Sequence, residues 1–211
     1  MSADGVSLGG RPALVSRLHR LAAQSGRPAV AQERCDLCNI DIPDDHSHLL
    51  HVEDRRIVCV CRPCFFLLAG QGAYLPTGSR TLVLDDFELP DELWYALGIP
   101  IGLAFFFRSS ASGGVAAVYP SPAGATESEL HLEAWEDLVA ANPVLATLES
   151  DSEALIVNRL AEPPRFAIAA IDECYRLIGL IRVSWQGLSG GTAVGEAVEG
   201  FFVDLEQAAA R

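Results

Sequence analysis

Residues 35–64 read CDLCNIDIPDDHSHLLHVEDRRIVCVCRPC, and this stretch decides the organisation of the chain. It contains two C-x-x-C pairs, Cys35/Cys38 and Cys61/Cys64, separated by 22 residues. Each C-x-x-C turn directs two sulfurs at one point, and two such turns complete a tetrahedral shell about 2.3 Å from a zinc ion. The spacing therefore predicts one metal ion held by these four cysteines.

The residues between and after the pairs predict the local structure of a metal module over residues 33–70. Leu49 to Val52 and Ile57 to Val60 flank a charged turn, which is typical of a β-hairpin. After Cys64, an apolar run ended by Gly70 predicts a short helix, whose N-terminus adds partial positive charge beside the second thiolate pair. This order indicates a treble-clef or zinc-ribbon-like module. Four thiolates leave no open coordination position, so we expect a structural site.

Cysteine usage favours bound metal over disulfides. Five of the six cysteines lie between residues 35 and 64, but residues 1–10 lack the charged start and apolar block of a secretory signal. A chain of 211 residues that is 50% apolar also has a large core available, so it does not depend on disulfides for stability. We therefore expect reduced thiolates and a cytoplasmic location.

Iron is the alternative to zinc as the bound ion. A shell of four sulfurs also suits a mononuclear iron, as in rubredoxins, which would make the protein an electron carrier. Rubredoxin-like turns place a residue with positive φ, usually glycine, after each second cysteine. Asn39 accepts that conformation, whereas Phe65 does not. Zinc is therefore favoured, with iron as the alternative.

Three further residues near the cysteine pairs have two interpretations each. Cys59 shares a strand face with Cys61, so it either replaces Cys61 in the shell or is an inert buried thiol. His46 and His48 are either exposed or capping histidines of a polar loop, or they bind a second ion together with Cys59 at an open site. The loop interpretation is the expected one.

Charge and composition exclude several classes of function. All 15 basic residues are arginines, so P-loop, kinase-type and Schiff-base lysine chemistry are excluded. The net charge is −13, and residues 71–211 carry seven arginines against 20 acidic residues. Because such a surface repels phosphates, we expect protein or small-molecule partners and no nucleic acid. Apolar runs are too short to predict a membrane span. The composition leaves the oligomeric state open.

The remaining sequence divides into a basic helical arm (1–32), a glycine-containing linker (71–78) and an α+β domain (79–211). Within the last, apolar patterns predict strands near 101–107, 115–119 and 154–160, together with a brief helix at 91–97. The most apolar stretch, 166–185, is a candidate core helix, and two C-terminal helices are expected to pack on a small antiparallel sheet.

Three other motifs have structural interpretations. Thr126-x-x-Glu129 has the form of a capping box before the helix that carries Trp135. Residues 187–191 match G-x-S-x-G, but a helical pattern precedes them, so they indicate a helix–helix turn. Cys174 lies in an apolar helical stripe and is interpreted as a core thiol. We assign no catalytic or cofactor-binding residue and predict no enzyme activity.

Several stretches together resemble a family whose members are not characterised. They are the run 35–64, Tyr119 to Ser128, Ala134-Trp135, Ala141-Asn142-Pro143 and Cys174 through Gly187. They resemble an actinobacterial family whose genes are commonly found beside those of uptake [NiFe]-hydrogenases, over roughly residues 33–208. The resemblance implies an accessory role in assembly or electron transfer, with a hydrogenase subunit or maturation factor as partner. It assigns no activity and no functional residue.

Three hypotheses follow for the function. The first is a non-enzymatic zinc-binding accessory protein that acts through protein–protein contacts. The second is a rubredoxin-like iron carrier in the same system. The third, a zinc-finger regulatory protein, fits the cysteine module but conflicts with the acidic charge.

Overall fold

The computed structural model describes residues 33–121, 124–128, 130–186 and 191–210. From Arg34 onward these residues belong to one compact unit. The basic arm predicted for residues 1–32 lies outside the described residues.

A small antiparallel sheet with strand order β2-β1-β3 forms the scaffold of the N-terminal module. β1 (Ser47–His51) and β2 (Arg56–Val60) form the predicted hairpin, and Arg55 takes a φ of +49° in its turn. β3 (Tyr74–Pro76) pairs with the other edge of β1. Part of the predicted linker 71–78 is therefore a strand, because its backbone groups satisfy hydrogen bonds that β1 would otherwise leave exposed.

A short helix follows the hairpin as predicted. α1 (Arg62–Leu68) begins after its N-cap, Cys61, with Pro63 in its first turn. Proline is well suited there because its missing N–H has no partner within the helix. Gly70, with a φ of +74°, follows the end of the helix. Turn, hairpin and helix give the module a treble-clef-like arrangement.

The larger sheet has strand order β4-β9-β8-β5-β6-β7 within the described residues, and each neighbouring pair is antiparallel. Its strands are β4 (Leu82–Val83), β5 (Leu103–Ser109), β6 (Gly114–Ser121), β7 (Gly124–Ser128), β8 (Glu153–Asn158) and β9 (Arg165–Ala170).

Helices cover both faces of this sheet. The cluster containing Phe105 and Phe107 packs against α4 (Ile171–Ser184) and α5 (Thr192–Ala209). On the opposite face, Phe106 packs with residues from α2 (Asp91–Ala96), α3 (Leu132–Ala141) and a 3₁₀ turn (Pro143–Thr147). Because both faces are buried, β5 is a continuous apolar run rather than an alternating one. The predicted α+β class, with an antiparallel sheet and C-terminal helices, is confirmed.

The apolar stretch 166–185 does not form a single helix. Its first residues belong to β9, and α4 begins only at Ile171. Ala167 to Ala170 are buried in the sheet, whose two faces are both covered. A strand buried on both faces and the start of a buried helix have the same apolar pattern, so periodicity did not separate them.

The predicted capping box at Thr126 is wrong. Gly124 reverses the chain with a φ of +122°, and β7 pairs with β6 so that Thr126 lies opposite Tyr119. The Thr126 hydroxyl donates to Ser121 Oγ at 3.0 Å. α3 begins at Leu132 after His131, which makes no side-chain capping bond. Pairing of this segment satisfies the edge of β6, an advantage that local sequence does not reveal.

Close contacts join the module to the larger domain. The Gly78 N–H donates to the Ser152 carbonyl at 3.0 Å, and a Cβ at Gly78 would lie 2.8 Å from that oxygen. The Arg80 guanidinium then makes a two-pronged ion pair with the buried Glu153, at 2.8 and 2.6 Å. Two hydrogen bonds from one guanidinium offset the free energy that burial of a carboxylate costs. These contacts therefore hold the segment 78–80, which connects the module to the larger domain, against the surface of that domain.

Among the described residues, each helix is too short or too polar to span a bilayer.

Replacement of the central core residue Phe106 by alanine should destabilise the larger domain strongly. Phe106 is 0% exposed and stacks on Trp135 at 5.7 Å between ring centroids, so Phe106→Ala leaves a cavity that costs about 3–5 kcal/mol of unfolding free energy. Chemical denaturation measures the loss. The control Val183→Ala, at a position 82% exposed, should change stability by less than about 0.5 kcal/mol. Equal effects of the two changes would contradict this assignment of the core.

Candidate metal centre

The first cysteine pair lies on a tight turn stabilised by its own backbone. The Cys35 carbonyl accepts from the Asn39 N–H at 2.8 Å, and the Cys35 N–H donates to the Ile40 carbonyl at 2.8 Å. Asn39 has a φ of +62°, which asparagine tolerates better than most residues. This reversal places Cys35 and Cys38 on the same side of the turn.

The second pair lies at the beginning of α1. Cys61 is its N-cap, and the Cys61 carbonyl accepts from the Phe65 N–H at 2.9 Å. Residues three apart in the first turn of a helix lie on one face, so Cys61 and Cys64 point in a common direction.

Asp36 links the two halves of the site. Its N–H donates to the Cys59 carbonyl at 2.9 Å, and its carboxylate accepts from the Cys59 N–H at 2.8 Å. These reciprocal bonds attach the first turn to β2, two residues before Cys61.

The structure brings the four predicted ligands together. The sulfurs of Cys35, Cys38, Cys61 and Cys64 all lie within 4.8 Å of one another. Cys38 Sγ and Cys61 Sγ are 3.6 Å apart, much longer than the roughly 2.05 Å of a disulfide bond. Four sulfurs about 2.3 Å from a central ion would be separated by about 3.8 Å. The cluster therefore has the size and donor set of a four-thiolate metal site.

The protonation behaviour of the cluster fits a site for a cation. Burial would raise the pKa of Cys35, but backbone N–H groups of Cys61, Cys38 and Leu37 outweigh it and lower the pKa to about 6. The neighbouring Cys61 side chain and burial raise the pKa of Cys64 to about 12. The Cys35 thiolate thus forms readily, whereas the Cys64 thiol resists ionisation because it is hydrogen-bonded and desolvated. A bound divalent cation would favour the thiolate form of each ligand.

The backbone distinguishes this site from a rubredoxin-like one. Asn39 after the first pair has the positive φ that such turns need, but Phe65 after the second pair is in α1. One turn and one helix start therefore supply the ligands, as in treble-clef-like modules.

Cys59 does not belong to the four-sulfur cluster. It lies directly opposite His48 in the β1–β2 pairing, and its sulfur is within 4.8 Å of the ligand atoms of His46 and His48. His48 is in β1, and both histidines are half-buried. The interpretation of these histidines as exposed or capping loop residues is therefore wrong for His48. It holds for His46, which lies in the loop and donates from Nδ1 to the Pro43 carbonyl at 2.9 Å.

Asp172 is a residue of this region that sequence reasoning missed. Its Oδ2 accepts from His48 Nδ1 at 2.7 Å, although the two residues are 124 positions apart. Asp172 lies in the first turn of α4, where an acidic residue has the ordinary role of complementing the helix dipole. No local pattern connects it with His48.

Two further motifs noted in the sequence are Cys174 and the G-x-S-x-G match. Cys174 is 0% exposed within the main core, which confirms it as a core thiol, and burial raises the pKa of its thiol well above the usual value. Residues 187–190 of the G-x-S-x-G match lie outside the described residues. They fall between the end of α4 and the beginning of α5.

Fold and site define a class of protein: an α+β domain joined to a treble-clef-like module with four clustered cysteines. Within that class, the chain belongs to a family of unknown function, DUF5947, whose model matches residues 34–209. No curated protein and no solved structure matches the chain.

Loss of one cluster cysteine should unfold the module while leaving the larger domain folded. Cys38→Ser or Cys61→Ser removes a thiolate, and a structural zinc site supplies about 10–16 kcal/mol in modules of this size. We expect loss of metal from the cluster and rapid proteolysis within residues 33–70, with helical circular dichroism largely kept. Limited proteolysis and metal analysis measure both effects.

Cys174→Ala is the control, because Cys174 is buried far from the cluster in the main core. It should keep the metal and the protease resistance of the module. Full metal content and unchanged proteolysis in both cluster variants would refute the assignment.

Proposed function

We propose that this protein is a non-enzymatic zinc-binding accessory protein whose N-terminal module presents a rigid surface to a protein partner. The observation that carries the proposal is the convergence of Cys35, Cys38, Cys61 and Cys64 within 4.8 Å. Four thiolates around one ion leave no position for a substrate, so the ion would stabilise the module rather than react.

Zinc suits this role better than iron does. The buried core of the module consists of six residues, of which two are cluster cysteines: Cys35, Ile42, Leu49, Val58, Val60 and Cys61. So small a core needs additional stabilisation, which a structural zinc ion provides. The turn-plus-helix geometry of the ligands also supports zinc, because a rubredoxin-like iron site would require a positive φ at Phe65.

An exposed apolar surface lies next to the cluster. Phe66 and Leu67 of α1 are 69% and 65% exposed, and Ile40 in the first turn is 50% exposed. The Arg62 guanidinium lies 5.7 Å from the centre of the Phe66 ring. Apolar and aromatic side chains accompanied by arginine are enriched at protein interfaces. We call Ile40, Phe66 and Leu67 the apolar patch and propose that it contacts the partner.

The partner we propose is a subunit or maturation factor of an uptake [NiFe]-hydrogenase, in the cytoplasm. The resemblance of the sequence to proteins encoded beside such hydrogenases supports this choice. The net charge of −13 favours a partner with a basic rim around its apolar contact, and it argues against a nucleic-acid target.

Metal analysis and purification from the native host test the proposal together. A tagged full-length chain should be colourless, contain zinc and copurify with an identified hydrogenase subunit or maturation factor. A red protein with reversible one-electron reduction would instead show the iron carrier. A salt-dependent shift of DNA mobility would show the regulatory protein.

Charge placed on the apolar patch should disrupt the complex without disturbing the metal. In Phe66→Glu combined with Leu67→Glu, two carboxylates would be buried against the partner, and recovery of that partner should fall at least about tenfold. Val183→Glu is the matched control, because Val183 is an exposed helical residue of the larger domain, 82% exposed. Equal recovery of the partner with both proteins, at unchanged zinc content, would rule out the patch as the contact.

A further inference from the structure

Two strands bring a second set of metal-ligating side chains together on one face. His48 in β1 and Cys59 in β2 are directly opposite partners, so their side chains project to the same side of the sheet. His46 precedes His48 by two residues, and its ring packs edge-on against that of His48 at 4.7 Å between centroids. The three donor atoms lie within 4.8 Å of one another.

We propose that His46, His48 and Cys59 bind a second transition-metal ion, distinct from the ion of the four-cysteine cluster and with one open coordination position. We further propose that Asp172 of the larger domain is a positioning residue that orients His48.

The hydrogen bonds of both rings set the tautomer that metal binding requires. A carbonyl oxygen only accepts, so the 2.9 Å contact from His46 Nδ1 to the Pro43 carbonyl means that Nδ1 carries the proton. The 2.7 Å contact between His48 Nδ1 and Asp172 Oδ2 has the same consequence. In a neutral ring protonated at Nδ1, Nε2 holds the lone pair and is the ligand atom. Carboxylate–histidine–metal arrangements of this kind are typical of protein metal sites.

The donor set fits a borderline divalent ion such as Zn²⁺. Two imidazole nitrogens at about 2.0–2.1 Å and one thiolate at about 2.3 Å from zinc would be separated by about 3.3–3.6 Å. The three ligand atoms lie within 4.8 Å of one another, so changes of side-chain rotamer would bring them to these values. Three protein ligands with a water or substrate in the fourth position form the usual pattern of open zinc sites.

The surroundings leave the fourth position accessible. The His48 side chain is 30% exposed, and Cys59 is half-buried. Water can therefore reach the side of the cluster that these two residues form. In the four-cysteine cluster, by contrast, sulfur atoms would fill all four positions around the ion.

The second site lies where the module meets the larger domain. Asp172 Oδ2 accepts from Thr77 Oγ1 at 3.2 Å as well as from His48, and Oδ1 accepts from the Glu173 N–H at 3.1 Å. The Asp172 side chain is only 17% exposed, so its position is well defined. An ion on His48 would therefore couple the module to α4, while the bonds between Asp36 and Cys59 connect it to the first site.

Metal titration of the full-length reduced chain tests the proposal. Co²⁺, followed by competition with Zn²⁺, should show two equivalents bound by the unmodified protein. His48→Gln and Cys59→Ser should each bind one, and both should keep the strong thiolate-to-cobalt absorption of the four-cysteine cluster. His51→Gln is the matched control, because His51 is in the same strand but contacts Asp54 and Tyr74. It should bind two equivalents.

The positioning role of Asp172 is tested separately. Asp172→Asn should weaken Co²⁺ binding at the second site about 10–100-fold and leave the first site unchanged. Equal weakening at both sites would indicate a general loss of structure and would overturn the positioning role, as would unchanged affinity at both.

Three outcomes would overturn the second site itself. The first is a single equivalent in the unmodified protein at saturating Co²⁺. The other two are two equivalents in His48→Gln and two equivalents in Cys59→Ser, since the ion would then lie in a different shell. The thiolate-to-cobalt absorption that His48→Gln and Cys59→Ser retain reports on the first site, so failure of the second site is distinguishable from failure of the four-cysteine cluster.

Discussion

Four thiols from two distant turns meet within 4.8 Å, and the structure of the N-terminal module depends on that convergence. The main buried cluster of the module contains six residues, two of which are cluster cysteines, so its apolar core is small. The hydrogen bond with the Cys61 side chain and burial raise the pKa of Cys64 to about 12, so its thiol resists ionisation. A bound divalent cation would favour the thiolate, and metal binding would then be coupled to folding of the module.

The larger domain obtains its stability in a different way. Its antiparallel sheet is covered by helices on both faces, so the central strands β5 and β8 bury nearly all their side chains. The module is nevertheless closely attached to it. The carbonyl of Ser152 leaves no room for a side chain at Gly78, and Asp172 receives hydrogen bonds from His48 and Thr77. Hydrogen bonds therefore join the module and the segment after it directly to α4.

The two clusters have different chemical capacities. An ion bound by the four cysteines would have no position left for another ligand, so the role proposed for it is to make the neighbouring surface rigid. The cluster of His46, His48 and Cys59 offers three donors, so an ion there would retain a position for an added ligand. Both are connected through β2, because Asp36 binds the backbone of Cys59 beside Cys61.

The sequence by itself determined the features that depend on local spacing: the two C-x-x-C turns, the hairpin between them, α1 with its glycine stop, and the helices after Ile171. Each is specified by residues close together in the chain. Only the tertiary structure decided that residues 166–170 and 124–128 are strands, because a strand buried on both faces lacks alternation and an edge strand depends on its neighbour. It also decided that His48 meets Asp172 across 124 positions, since such a contact requires folding of the whole sheet before the two side chains approach.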